Sequence, residues 1–252
     1  MMPRLIAFMA ALWFSLPDWV LAAEKSEEAR RYRACLAMAR DDPNAGYQEG
    51  LAWFQTGGGM PAGHCVALAM IGRGDHEGAA IRLEKIAEEI ETFRLQLRSD
   101  ILAQAAQAWT LAKRPTRAER VQTDAIALNP RDPELFVDRA ISLMTQEHYE
   151  AAHRDLSMAL KLAPDFTDAL LFRATANRHL NDLDSAWDDL GRALELVPGL
   201  PAAILERGIL HQLGGSLDSA RLDWLAVIIA YPGTSEADVA RARIQQMDVV
   251  RR

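Results

Sequence analysis

The sequence predicts an all-α solenoid of helical hairpins, and three columns with a common step of 34 residues carry that expectation. They are Ala118, Ala152, Ala186 and Ala220; Pro130, Pro164, Pro198 and Pro232; and the small residues Ala106, Ala140, Ala174 and Gly208. A unit of this length is one pair of helices that cannot bury its apolar face alone, so successive units stack. Leu102, Phe136, Leu170 and Ile204 keep the same step, as do Ala125, Ala159 and Ala193 until Val227 breaks that column. Within one unit, Phe136, Ala140 and Leu143 share a helix face, and Ala152, Leu156 and Ala159 share a face of the next helix. Thr145 to His148 make the turn between them.

The segment HYEAAHRDLSMALKLAP at 148–164 resembles the second helix and closing proline of a tetratricopeptide repeat, and LDSAWDDLGRALELVP at 183–198 repeats it. Four consecutive units fit without insertion, at 99–132, 133–166, 167–200 and 201–234. A degenerate unit at about 60–93 puts Ala79, Leu83 and Ile86 in the equivalent places, with five extra residues before Ser99. The resemblance implies a right-handed superhelical solenoid of antiparallel helix hairpins that binds other proteins. Residues 23–98 as a whole read as an irregular N-terminal helical module, in which Tyr47, Trp53 and Phe54 are either core or a partner-facing cluster, with core favoured at helical spacing. Residues 235–252 read as a C-terminal capping helix, N-capped by Ser235 and covering the last hairpin with Val239, Ala242 and Ile244.

Composition agrees: the 252-residue chain is 50% hydrophobic but only 7% aromatic, as Ala- and Leu-rich helices require. Its net charge is −7, and its arginines are interspersed with carboxylates. Phosphate backbones demand a basic stripe, so no nucleic-acid partner is expected. Lysine occurs only at Lys25, Lys85, Lys113 and Lys161, which with the Ala content points to a GC-rich bacterial genome.

The first 22 residues read as a cleaved signal peptide: Arg4, an apolar run from Leu5 to Leu16, a break at Pro17, and Val20-Leu21-Ala22 before a polar chain. The mature protein is then periplasmic or secreted, with no stable membrane insertion after cleavage. The alternative is an N-terminal membrane anchor, which needs about 20 apolar residues where this run is interrupted by Pro17 and Asp18. In an oxidising compartment Cys35 and Cys65 are free to pair if the helices that carry them, at about 27–40 and 61–72, are neighbours. The alternative is two small buried residues filling helix contacts.

Columns Arg139, Arg173, Arg207 and Asp155, Asp189, Asp223 also keep the 34-residue step and read as ion pairs between stacked hairpins, against a row of arginines gripping an anion. The family resemblance implies that the first helix of each hairpin lines the concave surface. A binding groove is therefore expected at Val137, Ile141, Leu171, Phe172, Thr175, Leu205 and Ile209, with Ala103 and Gln107 in the same rows and Glu134, Asp138, Asp168 and Glu206 along its margin. An apolar floor with an acidic edge suits an extended segment or amphipathic helix with Leu, Phe or Val anchors; the alternative is that these residues pack against the next hairpin. The family's clamp of Lys, Asn and Arg for an acidic chaperone tail is missing, since Ala103, Gln107, Asp138 and Phe172 stand in those places.

No catalytic, cofactor or metal site is expected, so the chain reads as a non-enzyme. Gly57-Gly58-Gly59 lacks the downstream Lys of a phosphate loop, and Arg73-Gly74-Asp75 falls where a turn is needed. His148 and His153 are off a common helix face, and Asp188 and Asp189 are adjacent. The expectation is an exported adaptor or scaffold of the bacterial cell envelope that binds a protein or peptide, with a self-associating structural protein as the alternative.

Overall fold

The computed structural model describes residues 27–250. The expected signal peptide lies outside them. The described residues form thirteen α-helices and no strand. In order these are α1 (Glu27–Asp41), α2 (Pro43–Gln55), α3 (Gly59–Gly72), α4 (His76–Glu89), α5 (Leu95–Leu111), α6 (Pro115–Leu128), α7 (Pro133–Met144), α8 (Tyr149–Leu162), α9 (Thr167–His179), α10 (Leu183–Leu196), α11 (Pro201–Leu213), α12 (Leu217–Ala230) and α13 (Ser235–Val250). They divide into two compact units, one running to Ser142 and the other from Leu143, so α7 contributes to both.

The turns inside the hairpins are copies of one another. Lys113, Glu147, Asn181 and Gly215, each 34 residues apart, all take a left-handed conformation with φ between 58° and 79°, and Gly74 at 83° does the same in the α3–α4 turn. In each case the following amide donates five residues back, as in Asp75 to Met70, Arg114 to Trp109, His148 to Leu143, Asp182 to Asn177 and Ser216 to His211. This six-to-one bond satisfies a carbonyl that the helix end leaves open. The Arg73-Gly74-Asp75 tripeptide is part of such a turn, and Asp75 caps α4 by accepting from the Gly78 amide at 3.1 Å.

In the first unit α1 packs on α2 and α3 around Tyr32, Leu36, Ala39, Trp53, Ala62 and Ala69. Asp42 starts α2 by accepting from the Asn44 and Ala45 amides at 3.1 Å. Close approach of α2 to α1 depends on Gly46, where a Cβ would lie 2.5 Å from the Ala39 amide nitrogen. Of the three aromatics in this region, Trp53 is core, whereas Phe54 is exposed beside Arg82 and Tyr47 lies under the Arg73 guanidinium, 4.1 Å from ring to charge. A second core joins Ala79, Leu83, Ile101, Ala105, Trp109, Ala118 and Val121 across α4, α5 and α6, and Glu84 accepts from the Trp109 indole at 2.5 Å.

In the second unit Leu171, Ala174, Ala186, Leu190, Ala203 and Leu210 form one cluster across α9, α10 and α11. Ile209, Ala220, Trp224 and Val227 form the next with Ala237, Ala240 and Met247 of α13. α13 therefore covers the last hairpin through Ala237, Ala240, Ile244 and Met247, while Val239 and Ala242 face out, contrary to the sequence expectation. The helix period explains the difference, since 237, 240, 244 and 247 share one face and 239 and 242 lie off it. Its cap is Thr234, whose hydroxyl accepts from the Ala237 amide at 3.2 Å, one residue before the expected Ser235.

A buried polar chain crosses the first unit. The Tyr32 hydroxyl donates to His64 Nδ1 at 2.5 Å, and because Gln104 Oε1 only accepts, the His64 Nε2–H donates to it at 2.6 Å. All three side chains are buried. Tyr32 and His64 border a narrow cleft also lined by Met60, Ile86, Ile90, Leu97 and Ile101. Burial depresses the His64 pKa below its ordinary 6.5, and the Gln104 hydrogen bond opposes this only in part. As pH falls below about 6.5 the unfolded chain takes up a proton that folded His64 resists, so its contribution to stability is intact above that value and lost below it. Urea unfolding at pH 7.5 and 5.0, compared between the parent and His64→Gln, isolates this contribution: acidification should lower the parent's midpoint relative to the variant's. An equal change in both proteins contradicts the assignment to His64.

Candidate functional site

In the second unit the Arg and Asp columns pair within hairpins, at Arg173–Asp189 and Arg207–Asp223, rather than between them. Arg173 on α9 forks onto Asp189 of its own hairpin, with Nε to Oδ2 at 2.8 Å and Nη2 to Oδ1 at 2.5 Å. Arg207 on α11 repeats this with Asp223 at 2.9 and 2.6 Å. The link to the preceding hairpin is a hydroxyl: Arg173 Nη1 donates to Ser157 Oγ at 3.3 Å, and in the first unit Arg139 Nη1 donates to Thr123 Oγ1 at 3.2 Å. Each of these partners lies 16 residues before or after its arginine, so one side chain ties its first helix to the second helices on both sides. Asp189 and Asp223 are buried, and Asn177 also donates to Asp189 at 3.2 Å. A buried carboxylate satisfied by a bidentate fork is costly to strand, which makes this column a constraint on hairpin geometry. The Arg173 and Arg207 forks are occupied and do not form an anion grip.

The seven expected groove residues separate into two sets. Val137, Leu171 and Ile209 are core, at 1%, 4% and 7% exposure. Leu171 and Ile209 belong to the clusters between successive hairpins, so for these two the packing alternative is the one realised. Ile141 in the first unit, and Phe172, Thr175 and Leu205 in the second, are half-buried. Phe172 and Thr175 flank the core positions Leu171 and Ala174 on α9, so the core is complete without them. The Thr175 hydroxyl turns back to the Leu171 carbonyl at 3.1 Å.

The margin is less acidic than its residue types suggest. Glu206 is buried and accepts from Arg178 Nε at 2.5 Å across α9 and α11. In the first unit the Asp138 pKa is pushed up to about 7, chiefly by burial, with Glu134 adding, Gln107 opposing through a hydrogen bond, and Asp132 adding further.

Cys35 on α1 and Cys65 on α3 are joined as a disulfide, with Cα atoms 6.1 Å apart. It closes a loop with a sequence separation of 30, worth about 3–4 kcal/mol on the chain-entropy model. Next to it, His64 has partners, Tyr32 and Gln104, that lie 32 and 40 residues away, a separation that leaves no local signal in the sequence. The triple glycine forms the α2–α3 connection, with φ of 93° at Gly57 and 53° at Gly59. Among the described residues no helix is long and apolar enough to cross a membrane.

No family model and no curated protein matches the chain. Solved structures do. A MamA structure from Desulfovibrio magneticus RS-1 aligns at a TM-score of 0.59 and 16% identity, over 70% of this chain and 97% of that one. YrrB, described as a TPR protein with an unusual peptide-binding site, aligns at 0.54 and 17% identity, over 72% and 91%. The Cut9–Hcn1 hetero-tetramer of the APC/C aligns at 0.66 and 14% identity, over 96% of this chain and 45% of that one. Repeated hairpins, repeated left-handed turns and these alignments agree: this chain has the fold of tetratricopeptide-repeat proteins.

Proposed function

We propose that the chain is a non-enzymatic adaptor of the bacterial cell envelope that holds a peptide segment of another protein on the first-helix face of its second unit. The observation that carries this reading is the half-buried side chain of Phe172, at a groove position outside the packed clusters; Leu205, also half-buried, packs in part against the core of the last hairpin. Thr175 lies one turn from Phe172 on α9, and Leu213 at the end of α11 is 55% exposed. YrrB, a like-folded protein, has a peptide-binding site. The ligand class follows from the chemistry. With Glu206 held by Arg178, apolar anchors such as Leu, Phe or Val dominate, and flanking basic residues add little.

Peptides selected from a displayed random library on the purified chain should carry spaced apolar anchors and bind with weak salt dependence. Phe172→Asp should weaken that binding at least about tenfold with helical circular dichroism unchanged. Equal binding by parent and variant contradicts this assignment.

Export is the second part of the proposal. The Cys35–Cys65 disulfide supports it, because such bonds persist in oxidising compartments. Intact mass of the protein extracted from a bacterial host should correspond to a chain starting near Ala23 with both thiols blocked. A cytosolic protein that retains Met1 contradicts export.

A further inference from the structure

The second helices of the four regular hairpins present corresponding residues to solvent, and three of those columns change character in the last one. Position by position, Arg120, Arg154 and Asp188 give way to Leu222; Thr123, Ser157 and Gly191 give way to Leu225; and Ala127, Lys161 and Glu195 give way to Ile229. The register of the repeat makes these outward positions, and the structure leaves them outward. Leu222 is 68% exposed, Leu225 38% and Ile229 76%. α13 does not cover them, because it packs on the opposite face of α12 at Trp224 and Val227. α12 is thus apolar on two sides, and among the described residues only one is used.

The spacing of the second side is that of a helix-pairing seam. Leu222, Leu225 and Ile229 fall at alternating steps of three and four, and Ala226 and Ala230 beside them let another helix approach. The seam also matches itself. An antiparallel copy related by a two-fold axis between positions 225 and 226 sets Leu222 against Ile229 and the large Leu225 against the small Ala226. The same operation places Asp218 opposite Gly233, so the two Asp218 carboxylates sit at opposite ends, whereas a parallel pairing would bring them together. Arg221 then faces the far end of the second α12, where helix carbonyls carry partial negative charge. The seam's edge carries little net charge, because Arg221 is already paired with Asp248 of α13. That edge, with Asp218 on it, is the wrong margin for an anionic membrane surface, which recruits clusters of Lys and Arg.

From this self-matching seam we infer that α12 is a homotypic docking surface, through which two copies of the chain pair antiparallel. The inference is independent of the peptide site, which lies on first helices. The stripe offers on the order of 400 Å² per copy, about half of the roughly 800 Å² per partner in a standard stable interface, so the pairing is weak and concentration-dependent.

Sedimentation of the full chain from about 10 µM to 1 mM should show a monomer passing to a dimer, a range set by an interface of this size. Leu222→Asp with Ile229→Asp should hold it monomeric with unchanged circular dichroism, a safe pair of changes because both side chains are already solvent-facing. In a chain whose native cysteines are paired, Leu225→Cys should cross-link to its own copy under mild oxidation. A parent that stays monomeric throughout, or a dimer that persists in the double Asp variant, overturns the inference. So does a monomeric parent whose binding to anionic vesicles or to a different protein is lost in that variant, which would give the face to that partner.

Discussion

Contact between helices at small residues is the constraint on which the rest of this molecule depends. Ala118, Ala152, Ala186 and Ala220 on the second helices are all fully buried, as are Ala106, Ala140 and Ala174 on the first. A side chain of one carbon lets two helix backbones come close enough for large neighbours to interlock around the contact. In the last hairpin the first-helix residue shrinks again, to Gly208, and the position that is Leu156 and Leu190 in the two preceding hairpins becomes Trp224. A Cβ on Gly208 would lie 2.7 Å from Trp224 Cδ1 and closer still to Nε1. The volume lost on one helix is regained on the other. Once helices meet at these columns, the Arg-to-Asp fork and the left-handed turn follow at fixed offsets, and so does the choice of which faces remain open.

Much of this was legible because the repeat states each position several times. Helix boundaries, the Thr145–His148 turn and the role of the triple glycine follow from columns and breakers. Other features were not. The left-handed turn column holds Lys113, Glu147, Asn181 and Gly215, and only the last advertises the conformation; the other three are held there by the six-to-one hydrogen bond, which has no residue signature. The ion pairs were read as links between hairpins because periodicity alone does not say whether the partner lies 16 residues ahead or behind. The buried Tyr32–His64–Gln104 chain lies in the module without clear repeats, where nothing in the pattern brings those positions together.

The expected groove shows the same limit at finer scale. Neighbouring positions on one helix, Leu171 and Phe172, have different fates: the first is core and the second half-open. A period of 3.6 residues separates them by about 100°, enough to turn one toward the next hairpin and the other away. Family resemblance names the face but not the depth of each side chain on it. Likewise Glu206 has the residue type of a charged margin, yet its carboxylate is taken up by Arg178, which follows from no repeat column because Met144 and Gln212 hold the neighbouring places. The open face is therefore more apolar than the sequence suggested, and this sets the ligand chemistry proposed for it.

A double-mutant cycle on Gly208 and Trp224 tests the close-contact account most directly. Alanine is favoured over glycine inside a helix by about 1 kcal/mol, so intrinsic propensity alone would make Gly208→Ala stabilising. Collision with the indole predicts the reverse, a loss of about 2 kcal/mol in urea unfolding. Trp224→Leu, costly alone because it leaves a cavity, should largely relieve the effect of Gly208→Ala by restoring the Ala and Leu pair that Ala174 and Leu190 supply in the preceding hairpin, with a coupling of about 1–2 kcal/mol. A stabilised Gly208→Ala protein, or two effects that simply add, would contradict the account.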